Sequence, residues 1–442
     1  MFKQELILLL QYVGAVLSNW WWLPLPFLLW KPFLFFYKFW RVELWLLAQK
    51  SILLEVKIPR DIEKPIRAMD HVMVGIQAAI YQPAGSWWEE WIDGQVQTGV
   101  AFEIASIEGD VHFYIRALQG YRNAIEASVY AQYPQAEISE ADDYVKYVPQ
   151  NIPNKEWDLW GADYFMLKDD HLPIKTYIQF ETEMEKDEEK KVDPIATLLE
   201  SMDKVGPGTQ LWIQISAEPW AEGNLVAWVK EGEKFKDKMA RRPEDKKNEK
   251  SMIREGAEFL LTGKVGEEEK PQERDIIPPE MKLTPGEREV LGALEKKMAK
   301  PMFRCNARFI WLGKRDVWFK PNFRLAFIYF NGYQTINLNS IFPYGKTLSK
   351  VHKSLFVPYN KYLVPRKTYL RNRKLFRNYI RRWTVNFPHP SPPKTLFMLN
   401  TEELASLFHF PSKGSAPATS VSRIESKRGG FPAGLPVEEE EN

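Results

Sequence analysis

The sequence predicts an α+β protein: an N-terminal transmembrane anchor followed by two ferredoxin-like (split βαβ) modules with a charged helical insertion. Three observations predict it. Residues 6–30 hold no charged side chain. Residues 51–150 read in the order β-α-β-β-α-β, which is the ferredoxin-like arrangement. Residues 151–345 read as a looser copy, broken by a highly charged stretch at 221–300. The 442 residues allow about two or three domains. The expected division is an anchor at 1–50, a first module at 51–150, a second at 151–345, a basic helical segment at 346–385 and a Pro/Ser/Gly-rich, mostly disordered tail at 386–442.

Each element has a local reason. Crossing a bilayer takes roughly 20 apolar residues; 6–30 is long enough for one crossing and too short for two unless the second continues through Lys31, so one span and a hairpin bent at Pro24 and Pro26 both stay open. Trp20, Trp21 and Trp22 suit a membrane–water boundary. Lys31, Lys38 and Arg41 fall within about 80° of one another on a helix, as on an interfacial or snorkelling surface. No small-residue cleavage site follows the run, which argues against a signal peptide. The basic residues follow it, so the positive-inside rule places everything after about residue 45 in the cytoplasm.

Leu54 to Ile58 alternates apolar and charged residues, as a strand does. Ile62 to Tyr81 has helical apolar spacing. Val100–Ile107 and Val111–Ala117 are strands joined by Glu108-Gly109-Asp110. Tyr121–Tyr133 is a helix, and Ala136–Glu140 a short strand. In the looser copy, Asp163–Lys168, Lys175–Phe180, Leu211–Ala217 and Phe303–Leu312 read as strands. Pro194–Lys204 and Asp316–Tyr333 read as helices. Thr284-Pro285-Gly286-Glu287 signals a capped helix start inside the insertion.

Charge is distributed unevenly. No Asp or Glu occurs from Val317 to Thr401, whose 85 residues hold 15 of the 60 Lys and Arg. That leaves 45 basic against 58 acidic residues elsewhere, a net of −13 beneath a total of +2. Lys361, Arg366, Arg371, Arg373, Lys374, Arg377, Arg381 and Arg382 are the candidate contacts. Arg with interleaved aromatics suits phosphates and bases. The same helix suits anionic lipid headgroups. A basic surface pairing with the chain's own acidic insertion, or with a partner protein, has the same pattern.

Catalytic signatures are missing. The single cysteine, Cys305, excludes an intramolecular disulfide framework and sits in a strand-like run as a packed thiol. The six histidines have no metal-ligand spacing. Ser340 to Thr347 departs from a phosphate loop at its first position and carries Pro343 and Tyr344. Asp142-Asp143 and Asp169-Asp170 read as loop or cap residues. Trp87-Trp88 and Trp157 to Trp160 read as core or interface anchors. No cofactor, metal or catalytic residue is expected, and a membrane enzyme of unknown chemistry would need a polar constellation that the spacing does not supply.

Several segments together resemble a family. They include Trp20-Trp21-Trp22-Leu23-Pro24, Leu54 to Pro59, Ala68 to Val72, Trp87-Trp88-Glu89-Glu90-Trp91, Phe113 to Arg116 and Ala131 to Pro134. Pro173 to Tyr177, Leu211 to Ile215, Leu399 to Ala405, His409 to Pro411, Arg423 to Ser426 and Pro432 to Pro436 belong with them. The sequence is similar to uncharacterised membrane-anchored proteins of small-genome bacteria, whose domain accompanies type IV secretion or HerA-like DNA-translocating ATPases. The resemblance implies a non-enzymatic inner-membrane platform that recruits or positions such an ATPase and contacts DNA. The alternative is a membrane-surface scaffold on anionic lipid. No nucleotide-binding domain is present in the sequence, so the resemblance implies that the motor is a separate chain, with Leu399 to Pro436 as candidates for docking it. Oligomerisation stays open.

Overall fold

The computed structural model describes residues 25–59, 64–180, 193–220, 222–240, 283–382 and 393–411, with a few isolated positions before residue 24. The strands are β1 (Ser51–Lys57), β2 (Val100–Ile107), β3 (Asp110–Leu118), β4 (Glu137–Glu140), β5 (Trp157–Met166), β6 (Thr209–Pro219), β7 (Met302–Lys314), β8 (Ile341–Pro343) and β9 (Phe397–Asn400). The main helices are α1 (Leu25–Ala48), α2 (Arg67–Ile80), α3 (Arg122–Gln132), α4 (Ala196–Asp203) and α5 (Glu222–Met239). They continue with α6 (Pro285–Met298), α7 (Arg324–Asn331), α8 (Val364–Ile380) and α9 (Thr401–Leu407).

One nine-stranded antiparallel sheet runs through the molecule in the order β4-β1-β3-β2-β6-β7-β5-β8, with β9 on β7. It replaces the two separate ferredoxin-like modules expected from the sequence. Read from its two ends, the strand order is the same: β4-β1-β3-β2 and β8-β5-β7-β6. The halves meet at β2 and β6, which pair from Val100↔Ala217 to Ile107↔Gln210. The division into modules fails because neither β2 nor β6 is an edge. Each satisfies the other's backbone groups, so no boundary interrupts the ladder.

Both faces of the sheet are covered. One packs Phe102, Ile104, Ile213, Ile215, Phe309 and Trp311 against α2, α3, α4, α7 and α9. The other packs Tyr114, Trp212, Ile310 and Leu312 against Tyr144, Val145 and the apolar side of α8. Strand β6 is therefore buried at every position. At Gly161 a Cβ would lie 2.3 Å from the Phe309 carbonyl and 2.9 Å from a Leu375 methyl, so this close approach of α8 needs glycine.

Several expected elements change. Lys175–Phe180 is not a strand but a single helical turn, Tyr177–Phe180. Asp316–Tyr333 shortens to α7 after a 3₁₀ turn. The tail from 386 was expected to be mostly disordered, yet 397–411 forms β9 and α9 and is buried at every residue. Phe408 packs on Phe102 and Phe113, and Phe410 on Tyr133. Residues 399–411 are thus unavailable for docking a motor, and 412–442 lie outside the described residues.

The expected capped helix is α6. The Thr284 hydroxyl accepts from the Glu287 amide at 3.3 Å, and the Glu287 carboxylate accepts from the Thr284 amide at 2.8 Å. Thr284→Ala is expected to cost about 1 kcal/mol, read as a lowered urea midpoint. An unchanged midpoint would show that the cap contributes nothing.

The transmembrane anchor is also corrected. Helix α1 has 24 residues but carries Lys31, Lys38, Arg41 and Glu43. Among the described residues, no helix is long and apolar enough to cross a membrane. That finding removes the basis for the anchor, for the inner-membrane placement and for an orientation read from flanking charge. Trp20 and Trp21 lie outside the described residues, as do most of 1–17; Trp22 is exposed. Lys31 is exposed, whereas Lys38 pairs with Glu90 and lies 5.0 Å from the Trp91 ring centroid. Arg41 lies over Trp40, 5.6 Å from its centroid. Trp87 and Trp88 are exposed, while Trp160 is in the core.

Candidate functional site

A row of polar side chains crosses the α8-facing side of the sheet. Tyr114 is opposite Glu103, Glu103 opposite Gln214, Gln214 opposite Arg308, and Arg308 opposite Asp163. Alternation along β6 places Gln214 on the face opposite Ile213 and Ile215, a face that would normally meet water. Here α8 covers it, and Glu103, Gln214 and Arg308 are fully buried. Burying charge demands partners. The Arg308 guanidinium donates to the Asn378 carbonyl at 2.7 Å and lies 3.3 Å from the Asp163 carboxylate. The Gln214 amide donates to Glu103 at 2.8 Å.

Arg382 closes this row. It follows α8 in a left-handed conformation, φ 47°. Its guanidinium donates to Glu103 at 2.7 and 3.1 Å and to Asp143 at 2.6 and 2.8 Å. Burial opposes its charge, but Glu103 and Asp143 outweigh burial and raise its pKa. The Tyr144 hydroxyl donates to Glu103 at 2.8 Å and meets the Tyr379 hydroxyl at 2.8 Å. Burial first, then the Glu103 charge, pushes the Tyr144 phenol well up. The row fixes α8 on the sheet.

With its inner side fixed by Leu375, Phe376 and Tyr379, α8 turns the rest of its surface outward. Arg366, Lys367, Lys374, Arg377 and Arg381 are exposed, and Arg373 is half-buried. Arg373, Lys374, Arg377 and Arg381 line a hollow of 370 Å³. Arg373 also joins Lys155 and Arg315 around a second hollow of 480 Å³. Lys361 is exposed near the start of the helix, 5.3 Å from the Tyr362 ring centroid.

Two of the expected contacts do not belong to this surface. Arg382 is buried in its ion pairs. Arg371 donates to the carbonyls of Gly345, Leu348 and Lys350 at 3.1–3.3 Å, holding the preceding loop. Lys155 and Arg315 were missed because they lie far from the basic segment in sequence; only the fold brings them to Arg373.

Two other polar clusters stand apart. Asp169, Asp170 and His171 place ligand-type atoms within 4.8 Å of one another. Those atoms already have partners: His171 meets Asp169 at 2.5 Å and the Trp228 carbonyl at 2.9 Å, and Asp170 accepts from the Trp228 indole at 3.1 Å. They clamp the start of α5 to the 169–171 loop. The second cluster is Asp70 on α2, Lys300 after α6 and Glu402 on α9. Lys300 Nζ lies 2.7 Å from Asp70 and 2.9 Å from Glu402. Burial opposes the Lys300 charge, yet its bonds to the two carboxylates raise its pKa. No sequence spacing signals this trio, because its members come from three distant segments. Cys305 is fully buried, and burial pushes its thiol well up, away from nucleophilic use.

Comparison of the chain with protein-family models, with curated proteins and with solved structures finds no match.

Proposed function

We propose that the protein is a non-enzymatic platform whose basic α8 surface holds the DNA backbone for a separate translocation ATPase. The observation that carries this reading is the outward face of α8. It sets Arg366, Arg373, Lys374, Arg377 and Arg381 along one rigid helix, within a stretch of 85 residues free of Asp and Glu. Phosphate neutralisation needs cations spaced along a surface. The two hollows beside Arg373 give sugar and phosphate groups room to approach. Exposed Tyr369 and Leu370 supply apolar contact between the cations. The ATPase partner rests on the family resemblance alone.

The test is DNA binding by the full chain across salt concentration, with vesicles of anionic lipid run in parallel. Neutralising about five phosphates gives a slope of log affinity against log salt near −4 to −5. Replacing Arg373, Lys374, Arg377 and Arg381 by Ala is expected to flatten that slope by roughly one for each lost contact. An unchanged slope in the variant, or binding to the vesicles without binding to DNA, would overturn the reading.

A further inference from the structure

We propose that His171 is a proton-operated latch: its imidazolium holds α5 on the body of the protein, and loss of one proton as pH rises releases the helix. The surroundings of the ring carry this. Its Nδ1 lies 2.5 Å from the Asp169 carboxylate, and its Nε2 lies 2.9 Å from the Trp228 carbonyl. Both partners only accept. A neutral imidazole donates from one nitrogen, and only the imidazolium donates from both. A neutral ring here would turn a lone pair toward an oxygen. At 5% exposure it has little water to replace the lost bond.

The two acceptors decide which bond fails. A carboxylate holds a donated proton more strongly than a carbonyl does. The remaining proton therefore stays on Nδ1, and Nε2 faces Trp228 bare. The loop bearing His171 is tied down. The Asn339 side-chain amide donates to the carbonyls of Asp169 at 2.7 Å and Leu172 at 3.2 Å, and Asp170 accepts from the Met398 amide of β9 at 3.1 Å. Helix α5 is the lighter partner, with most of its outer surface exposed. It meets the ring through Trp228, Gly232 and Phe235. The Trp228 and His171 ring centroids are 4.2 Å apart and the planes 14° from parallel. A Cβ at Gly232 would come 2.7 Å from the imidazole. A cation over an indole face is attracted to it, so protonation strengthens the stack as well. Release of α5 would uncover Met302 and Met398, which pack on Trp228.

The charges around the ring favour its proton. Asp169 and Asp170 stand on its own loop. Helix α6 brings Lys297, which is paired with Glu403 at 3.0 Å. Helix α5 brings Glu231, exposed on the next turn, and Lys236, paired with Glu295 of α6 at 3.3 Å. Burial opposes the His171 charge, but its bonds to Asp169 and the Trp228 carbonyl, then the two aspartate charges, outweigh burial and raise its pKa. A raised histidine contributes stability that is complete below its unfolded pKa, about 6.5, and lost as pH rises through the folded value.

The experiment is hydrogen exchange over residues 222–239 of the full chain, corrected for intrinsic rates, from about pH 5.5 to about 9, the range that histidine spans. Protection is expected to hold below about pH 6 and then fall by up to about tenfold per pH unit until the folded His171 has titrated. In His171→Gln that fall is expected to vanish. If this variant does not fold, Asp169→Asn, at a half-exposed side chain, decides: its fall is expected to begin at lower pH. Nitrogen-15 shifts of the His171 ring are expected to show imidazolium persisting above about pH 6.5. A neutral ring at that pH, protection of α5 that ignores pH, or the same fall in His171→Gln or Asp169→Asn as in the wild type would overturn the proposal.

Discussion

A chain ended before Phe397 is expected not to fold. Strand β9 pairs with β7 from Met302↔Asn400 to Cys305↔Phe397. Every residue of α9 is buried, and Asn400 and Glu403 close its first turn as a capping box. Glu403 also accepts from the Ile174 amide at 2.9 Å and pairs with the fully buried Lys297 at 3.0 Å. Removing this segment would strip the centre of the helical face and leave Lys297 buried without its partner. A single substitution tests the same point with the chain intact. Phe408→Ala is expected to cost about 3–5 kcal/mol, the transfer and cavity loss of a buried phenylalanine. Tryptophan fluorescence during urea unfolding reads both. A 1–396 chain with a cooperative transition at the full-length midpoint would show that the segment is an accessory.

Arg382→Ala is expected to destabilise by about 3–5 kcal/mol, because it leaves Glu103 and Asp143 facing each other without the guanidinium. Arg382→Lys is expected to recover only part of this, since an ammonium cannot serve both carboxylates in the planar double fork seen here. The loss also has a pH signature. Burial acts to raise the Asp143 carboxyl, but hydrogen bonds and charge from Arg382 outweigh it and hold the carboxyl below its usual range. A depressed carboxyl contributes stability that is complete above its unfolded pKa, about 3.9. That stability is lost as pH falls through the lower folded value. The gap between wild type and Arg382→Ala should therefore narrow as pH falls through the carboxylate range, where the unpaired carboxyl of the variant takes up its proton first. A gap independent of pH below 4 would mean that Asp143 takes no part.

Sequence pattern located most elements because their cues are local. The turn at Glu108-Gly109 shows in the structure as two positive φ values, 56° and 107°, as the hairpin signal required. The capping residues of α6 needed only four positions. What escaped was long-range. Alternation in β6 identified a strand but implied a polar face in water, whereas Gln214 and Ser216 are fully buried. Nothing near them announces that α8, some 150 residues later, lies over them. Arg382 had the composition of a phosphate contact, and only its encounter with Glu103 makes it part of the interior. The C-terminal segment was hidden differently. Pro, Ser and Gly on both sides of 397–411 masked a short capping box, Asn400-Thr-Glu-Glu403, that signals a helix start. On α8 Arg366, Lys374, Arg377 and Arg381 are exposed, and the second hollow beside Arg373 depends on Lys155 and Arg315 arriving from elsewhere in the fold.

The two ends of the sheet have a consequence for how this molecule meets others. Its outermost strands are its shortest apart from β9, with four residues in β4 and three in β8. Strand β4 begins and ends with Glu, and β8 ends on Pro343, which has no amide proton to offer. Few backbone groups are therefore open at either rim, and charge or proline guards them against a foreign strand. Among the described residues, these two rims offer little to strand addition, however wide the sheet is. Association at these two rims is disfavoured, which leaves side chains on helices and loops for meeting another protein. Assembly is thereby kept separate from the aggregation to which wide antiparallel sheets are prone.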